Sequence, residues 1–152
     1  MSRRLSAEER DALLREVDAF LERWAAHGKP LRSARELVED RFLLIGVDVD
    51  AEAPSGCSID ALVHRLVAIA GGRGFTLTDH GPVRYRDGDD VAEASRAEFK
   101  RLAREGTLGA DVRVFDTTLT RVGLLRSGGL ERPARDSWHG RAFFQGAPPA
   151  EV

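Results

Sequence analysis

The run Phe42-Leu43-Leu44-Ile45-Gly46-Val47-Asp48-Val49-Asp50 limits what this chain can fold into more than any other stretch. Four consecutive apolar residues leave no polar face at its start. A strand built on them is expected at the centre of a sheet, covered on both sides. The second half alternates, which puts Asp48 and Asp50 on one face and Val47 and Val49 on the other.

Helical patterns flank this strand. Ser6 and Glu9 have the spacing of a capping box. Leu13, Val17, Phe20 and Trp24 then follow at steps of four and three, with Leu14 and Leu21 beside them, as one apolar stripe. Gly28 and Pro30 end that pattern, with His27 expected in the last turn. A second helix is expected over Ser58–Ala70, where Ile59, Leu62, Val63, Leu66, Val67, Ile69 and Ala70 make a broad stripe. A third is expected over Ser95–Glu105, since Ser95 and Glu98 repeat the capping-box spacing and Gly106 suits a C-cap. Ser33–Glu39, Phe75–Thr78, Pro82–Arg86, Val112–Phe115 and Thr118–Leu125 read as further strands, with Asp87-Gly88 as a turn.

Pairs of strands between helices imply hairpins. The expected fold is therefore α+β and layered: a single mixed or antiparallel sheet with about three helices packed on it. Residues 1–145 read as one domain of common size and 146–152 as a loose C-terminal tail. No internal repeat interrupts this order.

Composition narrows the function classes. With 23 Lys and Arg against 25 Asp and Glu, the formal net charge is −2, which argues against a nucleic-acid partner. The arginines 101, 104, 113, 121 and 126 are better read as solvated surface. One cysteine, Cys57, cannot make an internal disulfide. No apolar run reaches the roughly 18 residues of a membrane span, and no signal-peptide core follows Met1, so the expected location is the cytoplasm. The four histidines and one cysteine have no zinc-site spacing, and no metal or cofactor is expected. The acidic turn Asp87-Gly88-Asp89-Asp90 and the Asp79-His80 pair lack the calcium-loop pattern.

The chemically pointed stretch is Ser55-Gly56-Cys57-Ser58-Ile59-Asp60. It lies between the end of a strand and the start of a helix, and in α/β folds ligands favour the space beyond the carboxyl ends of strands. A helix start offers free N–H groups and partial positive charge, which stabilise a thiolate or an anion. On this reading Ser58 is the N-cap, Asp60 suits the dipole, and His64 lies one turn beyond Asp60 on the same flank. Cys57 would be the nucleophile, His64 the base, and Asp48 or Asp60 the orienting carboxylate. Ser55, Gly56, Ser58 and Asp50 would line the site of a small anionic ligand. The alternative reading is a non-catalytic binding or interaction module in which the same loop recognises a partner and Cys57 only fits tightly. A nucleic-acid accessory role is the third. A homodimer is a separate expectation for the chain's partners. The chain holds no Gly-x4-Gly-Lys-Ser/Thr phosphate loop, no arginine six residues after Cys57 and no Cys-x-x-Cys pair.

Phe20, Trp24, Ala25-Ala26-His27-Gly28, Arg41-Phe42-Leu43, Val47-Asp48 and above all the hexapeptide resemble a family of small bacterial proteins that carries the automatic label "ABC transporter ATPase". The likeness extends through Leu108-Gly109-Ala110-Asp111, Val114-Phe115 and Ser137-Trp138. It implies a soluble bacterial protein and draws attention to the hexapeptide. It implies no ATPase, because that activity needs a phosphate loop and a much larger domain.

Overall fold

The computed structural model describes residues 1–77 and 81–145. Thr78, the Asp79-His80 pair and the tail from Gly146 lie outside the described residues. The fold is α+β, and every strand among the described residues pairs antiparallel. Where one sheet was expected, the strands among the described residues form three, of two, two and four strands. The chain divides into two compact units, Met1–Asp79 and His80–Val152.

In the first unit, helix α1 (Ala7–Leu21) begins as the sequence dictates. Ser6 Oγ accepts from the Glu9 amide at 3.2 Å, and Glu9 returns the bond to the Ser6 amide at 2.9 Å. The helix ends at Leu21, short of Trp24 and His27. Instead, β1 (Ala25–Ala26) and β2 (Lys29–Pro30) make a tight hairpin around His27-Gly28. Both loop residues have positive φ, 51° and 77°, as a two-residue hairpin loop requires.

Strands β3 (Ser33–Val38) and β4 (Phe42–Val47) form a second hairpin, in the register Ser33↔Val47 to Val38↔Phe42. The expected central strand β4 therefore has one hydrogen-bonded neighbour among the described residues. Its apolar run divides by face. Leu43 and Ile45, with Leu37 of β3, pack on the core that Leu13 and Val17 of α1 share with Ile69 and Ala70 of α2 (Gly56–Gly71). Val47 and Ile45 meet Trp24, Ala26, Leu31 and Leu62 in a second cluster. Phe42 is buried at the turn end and Leu44 is half-buried. Glu16 of α1 binds both Arg65, at 3.1 Å, and Arg73, which ties the two helices together. Phe75–Leu77 is not a strand.

In the second unit, β5 (Val83–Asp87) and β6 (Asp90–Ala94) form the hairpin expected at Asp87-Gly88. Helix α3 (Arg96–Arg104) follows its N-cap Ser95, whose hydroxyl accepts from the Glu98 amide at 3.1 Å. Strand β7 (Arg113–Phe115) pairs with β5. Residues 118–125 are not a strand: helix α4 (Val122–Arg126) begins within them. β8 (Glu131–Pro133), a 3-10 turn (Ala134–Asp136) and α5 (Trp138–Phe143) complete the unit. The sheet order β6-β5-β7-β8 makes β8 an edge, where Pro133 is tolerated. Phe99 is fully buried at the centre, edge-on to Tyr85 at 5.6 Å, Phe143 at 5.1 Å and Phe144 at 6.1 Å.

Candidate functional site

Helix α2 starts three residues earlier than its sequence pattern indicates, and this moves the candidate site. The N-cap is Ser55 rather than Ser58. Ser55 Oγ accepts from the Ser58 amide at 3.2 Å, and the Ser58 hydroxyl accepts from the Ser55 amide at 2.8 Å. Serine replaces the usual Glu or Gln in this reciprocal cap. The Ser58 hydroxyl also donates to the Ser55 carbonyl at 2.8 Å. The expected anion-binding groups of Ser55 and Ser58 are thus engaged with each other, and Ser58 is buried.

Cys57 consequently lies inside the first turn, exposed to solvent. His64 is seven residues further along the same helix, which is roughly 10 Å of axial rise. Both Asp60 and His64 are exposed, and no hydrogen bond joins Cys57, Asp60 or His64 to another side chain among the described residues. Asp48 faces its own loop. Its Oδ1 accepts from the Asp50 and Ala51 amides at 3.2 and 3.3 Å, and Oδ2 meets Arg32 at 3.5 Å. Asp50 is exposed. A Cβ added at Gly56 would meet nothing within 4 Å, so no close approach requires glycine there. The structure gathers these residues along one helix flank and one loop. It does not bring a base or carboxylate to the Cys57 sulfur.

The feature that sequence reasoning missed is on the same helix. Leu62 and Leu66 pack into the unit's core and Ile69 and Ala70 are buried in it, but Ile59, Val63 and Val67 stay 46, 48 and 53% exposed. These three lie one turn apart in a single line. At 100° per residue the stripe of Ile59, Leu62, Val63, Leu66, Val67, Ile69 and Ala70 covers about 160° of the helix, wider than the roughly 100° stripe one core contact fills. That excess width was the signal available in the sequence. Val49, in the loop before the helix, is also exposed, at 62%.

The second unit buries a polar cluster. Asp116 is fully buried. Its Oδ1 accepts from the Thr118 amide at 3.1 Å and hydroxyl at 2.6 Å, and Oδ2 is paired with Arg132. Burial pushes the Asp116 carboxyl up, but the bonds from Thr118 and Arg132 outweigh it and hold the group below its ordinary range. Nearby, the Ser137 hydroxyl is 2.8 Å from His139 Nδ1 and 3.0 Å from the Ala134 carbonyl. Burial pushes His139 down to about 4. Asp116 opposes that fall, while Arg132 and Arg96 add to it. Ser137 and His139 are 3 and 2% exposed, with Trp138 stacked on the imidazole at 3.9 Å. A Ser–His pair so enclosed caps α5 and fills the core; it does not face a substrate.

Among the described residues, no group of three His, Cys, Asp or Glu side chains is placed to hold a metal ion, and no helix is long and apolar enough to cross a membrane. Comparison with protein-family models, with curated proteins and with solved structures found no match to this chain.

Proposed function

We propose that the chain is a non-catalytic interaction module that pairs with a second copy of itself through the outer face of α2. The observation that carries this reading is the exposed line Ile59–Val63–Val67. Large apolar side chains scattered singly on a surface need no explanation, but a contiguous line on one helix marks a contact surface. Its 4-residue spacing is the ridge that interdigitates with a like ridge at a crossing angle near −50°.

Hydrogen-bonding partners favour a second copy in antiparallel orientation. The flank beside the line carries Asp60 and, one turn on, His64. Pairing about a two-fold axis near Val63 sets Asp60 against the partner's His64, twice over. The interface is isologous and closes at two chains.

Cys57 provides the test, since it is the one cysteine and is exposed. A nitroxide label on it in an antiparallel pair lies about 20–30 Å from its equivalent, given six residues of rise on either side of the crossing point. The expected result is a dipolar distance in that range that Val63→Asp abolishes. Absence of dipolar coupling at about 1 mM chain contradicts the proposal.

A further inference from the structure

We propose that the loop between β7 and β8 is a docking tip for an anionic lipid surface, with Val122 and Leu124 entering the interface between Arg121 and Arg126. The loop belongs to the second unit, so the inference goes beyond pairing through α2 and stands without it.

The loop is held at both ends. The Asp116 amide donates to the Leu130 carbonyl at 2.7 Å and closes the neck. There the buried Asp116 carboxylate holds the amide and hydroxyl of Thr118, and Arg132 of β8. On the returning side, the Gly129 amide donates to the Leu124 carbonyl at 2.8 Å. A Cβ on Gly129 would stand 2.6 Å from that oxygen, so the close approach requires glycine. A loop with adjoining ends, fixed by its own bonds, is of the Ω type, which is frequently functional.

What this frame presents is apolar and basic. Val122 and Leu124 are each 46% exposed. Between Asp116 and Glu131 the chain carries Arg121 and Arg126 and no acidic residue. Both arginines are exposed, and among the described residues neither has an ion-pair partner. Arginines of the flanking strands are engaged: Arg113 by Glu131, and Arg132 by Asp116. Two cations left to solvent beside two aliphatic side chains complement a surface that is anionic outside and apolar beneath.

The geometry of α4 selects lipid over protein or nucleic acid. Val122 and Leu124 are two residues apart in one short helix, so they stand about 200° apart around its axis. A groove on one side cannot cover both, whereas a fluid interface surrounds the turn. The loop has no aromatic side chain to stack on a base. Arginine stems lie along apolar surface while the guanidinium stays at the level of the lipid phosphates.

The test is co-sedimentation of the full chain with vesicles of phosphatidylcholine alone and with about one third phosphatidylserine, at low and at physiological salt. The expected result is saturable binding to the anionic vesicles that weakens as salt rises, and none to the neutral ones. Arg121→Gln and Arg126→Gln are each expected to weaken it about fivefold. Lys100→Gln with Arg104→Gln on α3 removes as much charge elsewhere, and is expected to leave most of the binding intact. Leu124→Cys in a Cys57→Ser chain, labelled with the polarity-sensitive dye NBD, is expected to shift its emission to the blue on anionic vesicles. The wild-type chain gives the first readout, so the result does not depend on a variant folding. No sedimentation at about 10 mM lipid overturns the proposal. Equal binding to neutral vesicles, equal loss from the α3 substitutions, or an unshifted dye does so too. Binding of polyglutamate or an oligonucleotide through Arg121 and Arg126, without binding of vesicles, also overturns it.

Discussion

The Trp24 indole N–H donates to the Ser58 carbonyl across 2.8 Å, in a contact closed to solvent. This bond sets how α2 lies. It pins the first turn by the Ser58 side against Trp24, Ala26 and Leu31, and so turns Cys57 outward, with Ile59 and Asp60 left exposed. The orientation of the proposed contact line follows from a residue outside the helix.

Replacing Trp24 by Phe removes that donor and part of the ring volume. The expected cost is about 1–3 kcal/mol in urea unfolding, from one buried hydrogen bond and a small cavity. Hydrogen exchange is expected to quicken at the amides of the first two turns of α2 and to stay unchanged in the second unit.

Cys57 is expected to react with a maleimide in the folded protein without waiting for unfolding, because it is exposed in the first turn. His64→Ala is expected to leave the alkylation rate unchanged, since two turns of helix separate the residues. A fall of about tenfold in that variant would show that His64 activates the thiol after all.

Acid should destabilise the second unit in two stages. His139 is pushed down to about 4 by burial, while an unfolded histidine titrates near 6.5. Between those values the unfolded chain takes up a proton that the folded chain refuses. Stability is therefore lost as pH falls from about 6.5 to about 4, by on the order of 3 kcal/mol. Asp116, held below its ordinary range, contributes stability at neutral pH that is lost only at lower pH, as its carboxylate protonates. Urea midpoints against pH for His139→Gln should lose the slope above pH 4 and keep the drop below it.

Gly140 lets α5 lie against the 3-10 turn. A Cβ there would meet the Ala134 carbonyl oxygen and the Arg135 Cα, both at 2.8 Å, which are backbone atoms that cannot move aside cheaply. Gly140→Ala is expected to lower stability by about 1–3 kcal/mol in thermal or urea unfolding. Gly56→Ala, where a Cβ meets nothing, should cost far less.

Local signals carried most of what the sequence revealed. The caps at Ser6 and Ser95 were legible because a capping bond closes within four residues. The hairpin at Asp87-Gly88 was legible for the same reason. Residues 118–125 misled because the threonines 118 and 120 with Val122 and Leu124 can be read as a strand pattern. Asp116 ends β7 instead: its carboxylate holds both the amide and the hydroxyl of Thr118, a turn that no periodicity displays. The first helix was drawn too long because Trp24 fits the stripe of α1 by spacing, while its partners are Ser58 and the β1–β2 hairpin. At the candidate site, the hexapeptide was rightly placed at a helix start, but the Ser55 cap shifted Cys57 into the first turn. How much of the α2 stripe the core would cover depended on a hairpin of only two strands, a tertiary quantity.

Sedimentation equilibrium of the wild-type chain beside Val63→Asp tests self-pairing through α2 most directly. The account predicts a concentration-dependent shift from one chain to two in the wild type, absent in the variant, with matching circular dichroism and with melting temperatures that match at dilutions where both are monomeric. A wild-type chain that stays monomeric to about 1 mM, or a variant that dimerises equally well, contradicts it.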